Sequence, residues 1–252
     1  MKFSIASPTG IIIAGHRGNP AQFPENTMLS FRSAVSLGVD MIETDIHLTR
    51  DGVPVLMHDA DTARTAGVPG MIFDRTLDEL RALNVGTAEQ PQQIPTLAEF
   101  LAEFAPVDGL LFDLELKIDH ADTMSAQIAR TVALVEQYDL HDRVLFNSFD
   151  AAALEYIYQS YGRRYRLHGY YPYNIMSNVS ADPAEYLDYA CYWASGAEAA
   201  ERCAFLIDRG IAPCTGSNTS AEGYAEAAAL GCAMFTENDP AAALAWRAQW
   251  AK

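Results

Sequence analysis

The 252-residue chain predicts an α/β fold, a (β/α)8 TIM barrel with a small insertion after the second strand, and three observations carry that expectation. Apolar, β-branched or aromatic runs alternate with Ala- and Leu-rich helical stretches from end to end, the order of βα units around a parallel sheet. Eight such strand runs can be counted, and eight units in about 250 residues is the size of one closed barrel. Neither GxGxxG nor GxxxxGKS/T occurs, so nothing favours an open doubly wound sheet built around a nucleotide loop.

The elements follow in order. Ile11 to Gly15 reads as the first strand, and a helix runs from Asn26, an N-cap type, to Leu37, stopping at Gly38. Met41 to Leu48 is the second strand. Nearly fifty residues then precede the next barrel helix, with turn signals at Asp51-Gly52, Gly67-Val68-Pro69-Gly70 and Pro91. Residues at about 49–95 therefore form an insertion on the carboxyl-terminal face of a single domain spanning 1–252, the face where barrel enzymes do chemistry. Thr96 to Phe104 is helical, Leu110 to Lys117 a strand, Ala121 to Tyr138 a helix, Val144 to Ser148 a strand and Ala151 to Tyr161 a helix. Arg166 to Tyr171 and Tyr189 to Trp193 are weaker strands, each expected to lead into a helical stretch. Ile211 to Cys214 and Cys232 to Thr236 are strands flanking a helix over Ala221 to Leu230, and Ala241 to Ala251 closes the chain.

Composition narrows the function classes. Half the residues are hydrophobic, and 17 Lys plus Arg stand against 33 Asp plus Glu for a net charge of −16, which argues against a general nucleic-acid binder or polybasic membrane-surface protein. No apolar run approaches the roughly 18 residues of a spanning helix, and Met1 to Gly10 holds no sustained apolar stretch, so neither signal peptide nor stable membrane association is expected. Cys191, Cys203, Cys214 and Cys232 form no CxxC pair and read as buried free thiols of a cytoplasmic protein.

The chemistry concentrates at strand ends. In Glu43-Thr44-Asp45-Ile46-His47 the period of two sends Glu43, Asp45 and His47 to one face, where burying two carboxylates is costly unless a cation joins them. Asp113, Glu115 and Lys117 share a face of a second strand in the same way. Lysine occurs three times, at positions 2, 117 and 252, so Lys117 is the one interior lysine and is placed to hold an anion. Oxygen ligands without Cys point to one Mg²⁺ or Ca²⁺ rather than zinc. The first strand ends in Gly15-His16-Arg17-Gly18, where Arg17 offers forked donors suited to phosphate. His58 emerges from the apolar run Val53-Pro54-Val55-Leu56-Met57, and two histidines reaching one pocket can divide general acid and base work. His47 lies behind these groups, and His168 with Tyr170, Tyr171 and Tyr173 either lines the pocket or packs at its rim.

His16-Arg17-Gly18, Pro24-Glu25-Asn26-Thr27, the run Gly38 to Asp45, Leu48 to Gly52, His58-Asp59 and Glu115-Leu116-Lys117 together resemble the glycerophosphodiester phosphodiesterase family in order and spacing. Asn147-Ser148-Phe149 and Thr236 to Pro240 resemble weaker markers of that family. The resemblance implies a barrel hydrolase that releases an alcohol and glycerol 3-phosphate from a small-molecule phosphodiester. It implies a divalent cation on Glu43, Asp45 and Glu115, with His16 and His58 as the acid–base pair and Arg17 and Lys117 beside the phosphate. Two departures bear on the alcohol. Where the family usually carries Trp-Thr-Val-Asn on the seventh strand this chain has Cys214-Thr215-Gly216-Ser217-Asn218, and its fifth strand is Tyr-rich. A sugar phosphodiester or a lysophospholipid is the alternative substrate, and a barrel that binds a phosphoryl ligand without turnover is the rival from another class.

Overall fold

A computed structural model describes residue 3, residues 9–216 and residues 220–250 of the chain. Strand β1 (Ile12–His16) leads through helix α1 (Met28–Leu37) to β2 (Met41–Leu48), and a short β3 (Pro54–Leu56) follows. Helices α2 (Ala63–Ala66), α3 (Leu77–Arg81) and α4 (Leu97–Phe104) precede β4 (Leu111–Leu116). The remainder runs α5 (Met124–Gln137), β5 (Val144–Asn147), α6 (Ala151–Tyr161), β6 (Arg166–Tyr171), β7 (Tyr189–Tyr192), α7 (Gly196–Asp208), β8 (Ala212–Gly216), α8 (Ala221–Ala229), β9 (Met234–Glu237) and α9 (Pro240–Trp250). Eight of these strands, all but β3, are parallel, and β1 pairs with both β2 and β9, so the sheet closes into a barrel.

Local chemistry accounts for most element ends. Gly38 closes α1 in the left-handed conformation at φ 84°, which an L side chain adopts only with strain. The N-cap of α1 is Thr27 rather than the expected Asn26. Thr27 holds extended backbone and its side chain accepts from the Ser30 N–H, whereas Asn26 sits at φ 53° and turns its amide inward. Both residue types cap helices, and Asn is the one that tolerates the left-handed turn. Thr96 and Glu99 form a reciprocal capping box on α4. Against α1, α4 and β4 the fully or nearly buried rings of Phe31, Phe100, Phe104 and Phe112 pack mostly edge-on with centroids 4.8 to 6.2 Å apart.

Two features differ from the expected pattern. Between β6 and β7 there is no α-helix but a pair of 3-10 turns, Tyr173–Ile175 and Pro183–Glu185. Pro172, Ser177, Asn178, Ser180 and Asp182 break any helical period there, and Tyr171 instead stacks on Phe205 of α7 at 4.7 Å. The apolar run before His58 forms β3, antiparallel to the carboxyl end of β2 with Ile46 opposite Leu56 and Leu48 opposite Pro54. The segment between β2 and α4 carries its own apolar cluster of Val55, Met57, Ile72, Leu80, Val85 and Ile94. No described helix is long and apolar enough to cross a membrane.

Candidate active site

The carboxyl ends of β1, β2 and β4 bring the predicted acids together. Register pairs Glu43 with Asp113 and Asp45 with Glu115, so the two acidic strands match step for step, and all four carboxylates are at most 5% exposed. Oxygens of Glu43, Asp45 and Glu115 lie within 4.8 Å of one another, and Glu43 Oε1 is buried with no hydrogen-bond partner. Three buried carboxylates, with a Glu43 oxygen left unpaired, fit a hard divalent cation. Burial, reinforced by Asp45 and Glu115, pushes the Glu43 carboxyl well above its usual value, and burial with Asp45 lifts Glu115 to about 7 against the pull of Lys117. At Asp45 burial acts in the same upward sense, but Lys117 and Arg17 outweigh it and hold the group well below the usual carboxylate range. The acids of the cluster are thus pushed in opposite directions, up at Glu43 and Glu115 and down at Asp45, and a bound cation would favour the ionised form of all three.

Both predicted cations reach this cluster. Lys117 Nζ pairs with Glu115 Oε1 and lies 3.0 Å from Asp45 Oδ1. Arg17 Nε lies 3.4 Å from Asp45 Oδ2, and its backbone N–H donates to Glu43 Oε2 at 2.9 Å. That N–H is available because the chain turns sharply after β1, with Arg17 at φ 57° and Gly18 at φ 93°. Asn26 locks the far side, donating to Asp45 Oδ2 and accepting from Thr44 Oγ1, both at 2.7 Å.

His16 stands at the cluster, and His58 lies close enough for its charge to act on Asp45. His16 Nε2 stands 3.9 Å from Glu43 Oε2, while its Nδ1 is 2.7 Å from Asn238 Oδ1 on the far side of the barrel closure. Burial, and then the Arg17 charge, lower the His16 pKa, with His58 among the smaller contributors. His58 is delivered by β3 and held by Asp59, whose Oδ1 lies 2.6 Å from His58 Nδ1. His47 sits behind as expected, with Nδ1 2.8 Å from Asp119 and Nε2 3.1 Å from the His58 carbonyl.

Several neighbours of the site were not anticipated. Asn238 is one, although a polar residue one step past the last strand is a signal of its type. Arg64, from the segment after β3, donates from Nε to Asp59 Oδ2 at 2.5 Å and forks both terminal nitrogens onto Glu25, which also accepts from Arg17. The hydrogen bond from Arg64 leads in pulling Asp59 down to about 2. A chain of ion pairs thus runs from His58 to Arg17. His168 is paired through Nδ1 with Asp113 Oδ2 at 3.0 Å. Aromatic rings make the opposite wall: Tyr170 stacks on Phe149 at 3.6 Å and on Trp193 at 5.4 Å, with Trp193 half exposed. The bulky ring of this wall follows β7, while Cys214 on β8 is fully buried and Gly216 lines the pocket; Asn218 lies outside the described residues. The pocket is lined by Glu43, Glu115, Asn147, His168, Tyr170 and Trp193 among others.

By class this is a parallel α/β barrel whose polar site lies at the carboxyl ends of its strands. Residues 16–247 match the Glycerophosphoryl diester phosphodiesterase family, and the chain belongs to that family. A glycerophosphodiester phosphodiesterase of Caldanaerobacter subterraneus is 31% identical over 147 residues, 57% of this chain and 60% of that protein. The chain spans about 60% of the length of the curated relatives it matches at this level. Among solved structures, a glycerophosphodiester phosphodiesterase of Parabacteroides distasonis superposes with a TM-score of 0.79 at 20% identity, covering 96% of this chain and 99% of that one. A phosphodiesterase of Oleispira antarctica in complex with the product sn-glycerol-3-phosphate gives 0.77 at 22% identity over 93% and 96%. At these identities the structural likeness speaks for the fold.

Proposed function

We propose that the chain is a single phosphodiesterase domain, with 49–95 as its inserted segment, that hydrolyses a glycerophosphodiester to an alcohol and glycerol 3-phosphate. The observation that carries this reading is the Glu43–Asp45–Glu115 cluster with Arg17 and Lys117 paired to it, His16 3.9 Å from Glu43, and His58 near enough for its charge to act on Asp45. Family membership supports the substrate class. Glu43, Asp45 and Glu115 would hold one divalent cation, Mg²⁺ or Ca²⁺, which would supply Lewis acidity toward the phosphoryl group and the attacking hydroxyl.

The side chains do the rest. Arg17 and Lys117 hold the phosphoryl oxygens and offset the charge that builds on them in the transition state. A chain of net charge −16 repels an anionic diester at long range, so these two cations and the metal must carry recognition locally. His16, with lowered proton affinity and Nδ1 fixed by Asn238, takes the proton of the nucleophile. His58, oriented by Asp59 and by His47 through its carbonyl, gives a proton to the departing alkoxide. The aromatic wall, with Phe149 and Trp193 exposed against a buried Tyr170, favours a second substrate of the same chemistry, a lysophospholipid whose alcohol side carries apolar bulk.

Release of glycerol 3-phosphate from a panel of diesters tests the reading. Turnover is abolished by EDTA and restored by Mg²⁺ or Ca²⁺, and His16→Ala and His58→Ala each lose about 10²- to 10⁴-fold in kcat with unchanged circular dichroism. Activity that survives chelation, or near-normal turnover in both variants, overturns it; binding of diesters without turnover leaves a phosphoryl-ligand binding barrel.

A further inference from the structure

The floor of the pocket contains polar groups that neither the cation nor the phosphate uses. Across the strands the inward positions Asp45, Glu115, Asn147 and His168 are register neighbours, so the acidic row of β2 and β4 continues into Asn147 on β5 and His168 on β6. Asp113, Asn147 and His168 are at most 3% exposed and all line the pocket. Each carries one buried atom without a hydrogen-bond partner among the described residues: Asp113 Oδ1, Asn147 Oδ1 and His168 Nε2. One such atom costs about 1–3 kcal/mol when left unsatisfied, so three around one cavity call for an occupant.

The donor and acceptor character of these atoms states what the occupant offers. His168 Nδ1 is taken up by Asp113 Oδ2 at 3.0 Å, which leaves Nε2 for a hydroxyl, a group that both donates and accepts. Asn147 leaves its carbonyl oxygen unpaired beside Tyr170 in the same pocket. Two oxygen acceptors and a ring nitrogen suit hydroxyls, and the two oxygens repel a phosphoryl group. We propose that Asp113, Asn147 and His168 form a hydroxyl-binding subsite that seats the polyol end of the diester and makes His168 a specificity-determining residue. This rests on the phosphodiesterase reading and adds to it an orientation: glycerol inward on the floor, the alcohol outward past Trp193.

The test compares a glycerol diester with the propane-1,2-diol diester of the same alcohol, which keeps the hydroxyl next to the phosphoester and lacks the terminal one. The wild-type enzyme with Mg²⁺ prefers the glycerol diester by about 10- to 100-fold in kcat/KM, expressed in KM. In His168→Phe the preference falls to about twofold or less, with most of the loss on the glycerol diester, whereas His168→Gln, which keeps an acceptor, retains most of it. Asn147→Ala carries the same test if His168→Phe fails to fold, since it breaks no ion pair. Calorimetric titration with glycerol 3-phosphate and propane-1,2-diol phosphate reads the subsite without turnover, and the same ratio is expected. An equal fall on both diesters, a preference intact in both His168→Phe and Asn147→Ala, or equal binding of the two monophosphates by the wild type overturns the subsite. Absence of turnover on either diester with the binding ratio preserved instead overturns the phosphodiesterase reading alone.

Discussion

Glu115→Gln should make the cation-free protein more stable while removing its response to the cation. Burial, opposed by Lys117 and reinforced by Asp45, lifts the Glu115 carboxyl from 4.5 to about 7. At 1.36 kcal/mol for each pH unit of displacement, an ionised Glu115 costs the folded state about 3 kcal/mol. The sign follows from linkage: the folded value lies above the unfolded one, so the favourable contribution is whole below pH 4.5 and is lost as pH rises through 7. Glutamine keeps the volume and an acceptor for Lys117 but gives up part of that ion pair, leaving a gain of about 2 kcal/mol in EDTA at pH 8.5. For a chain of this size that is roughly 4–8 °C in Tm, closing as pH approaches 5, where wild-type Glu115 protonates on its own. Added Mg²⁺ or Ca²⁺ should raise the wild-type Tm with concentration and leave the variant flat. Thermal melts at both pH values, with and without cation, decide it. A variant that melts lower than wild type at pH 8.5, or a gap that ignores pH, refutes the reasoning.

Gly18→Ala should lower Tm by roughly 6–12 °C, because φ is 93° and the added Cβ would sit 2.4 Å from Ser30 Oγ and 2.7 Å from the Ser30 carbonyl carbon, a combined cost of about 3 kcal/mol; a melt within 2 °C of wild type would contradict the turn described. Arg64→Ala should reduce kcat by about tenfold through loss of the tie between Asp59 and Glu25, while Tm changes little because the Arg64 side chain is 49% exposed. Arg64 holds Asp59 near 2 against an ordinary 3.8, so its contribution is whole above pH 3.8 and disappears as pH falls toward 2. Acid unfolding curves of the two proteins should therefore converge there, and curves that diverge would exclude the tie.

The barrel and its acidic centre were legible because their signals are local. Strand alternation is set by backbone geometry, so Glu43 with Asp45 and Asp113 with Glu115 had to share faces whatever lay beside them. Capping at Thr96 and termination at Gly38 depend on residues within one turn. The helix expected after β6 failed for a related reason: its proline and its Asn and Ser residues weaken helical propensity, and an assumed βα repeat carried the expectation past them.

By itself the sequence determined the βα alternation, the acidic faces of two strands, the one interior lysine, Lys117, on the second of them and the two histidines at strand ends. Tertiary structure alone decided the partners. His16 meets Asn238 across 222 positions, His168 meets Asp113 across 55, and Arg64 meets Glu25 across 39. Periodicity fixes which way a side chain points from its own strand. Which side chain faces it is fixed by the closure and register of the sheet, which arise only when all eight strands bury their apolar faces together.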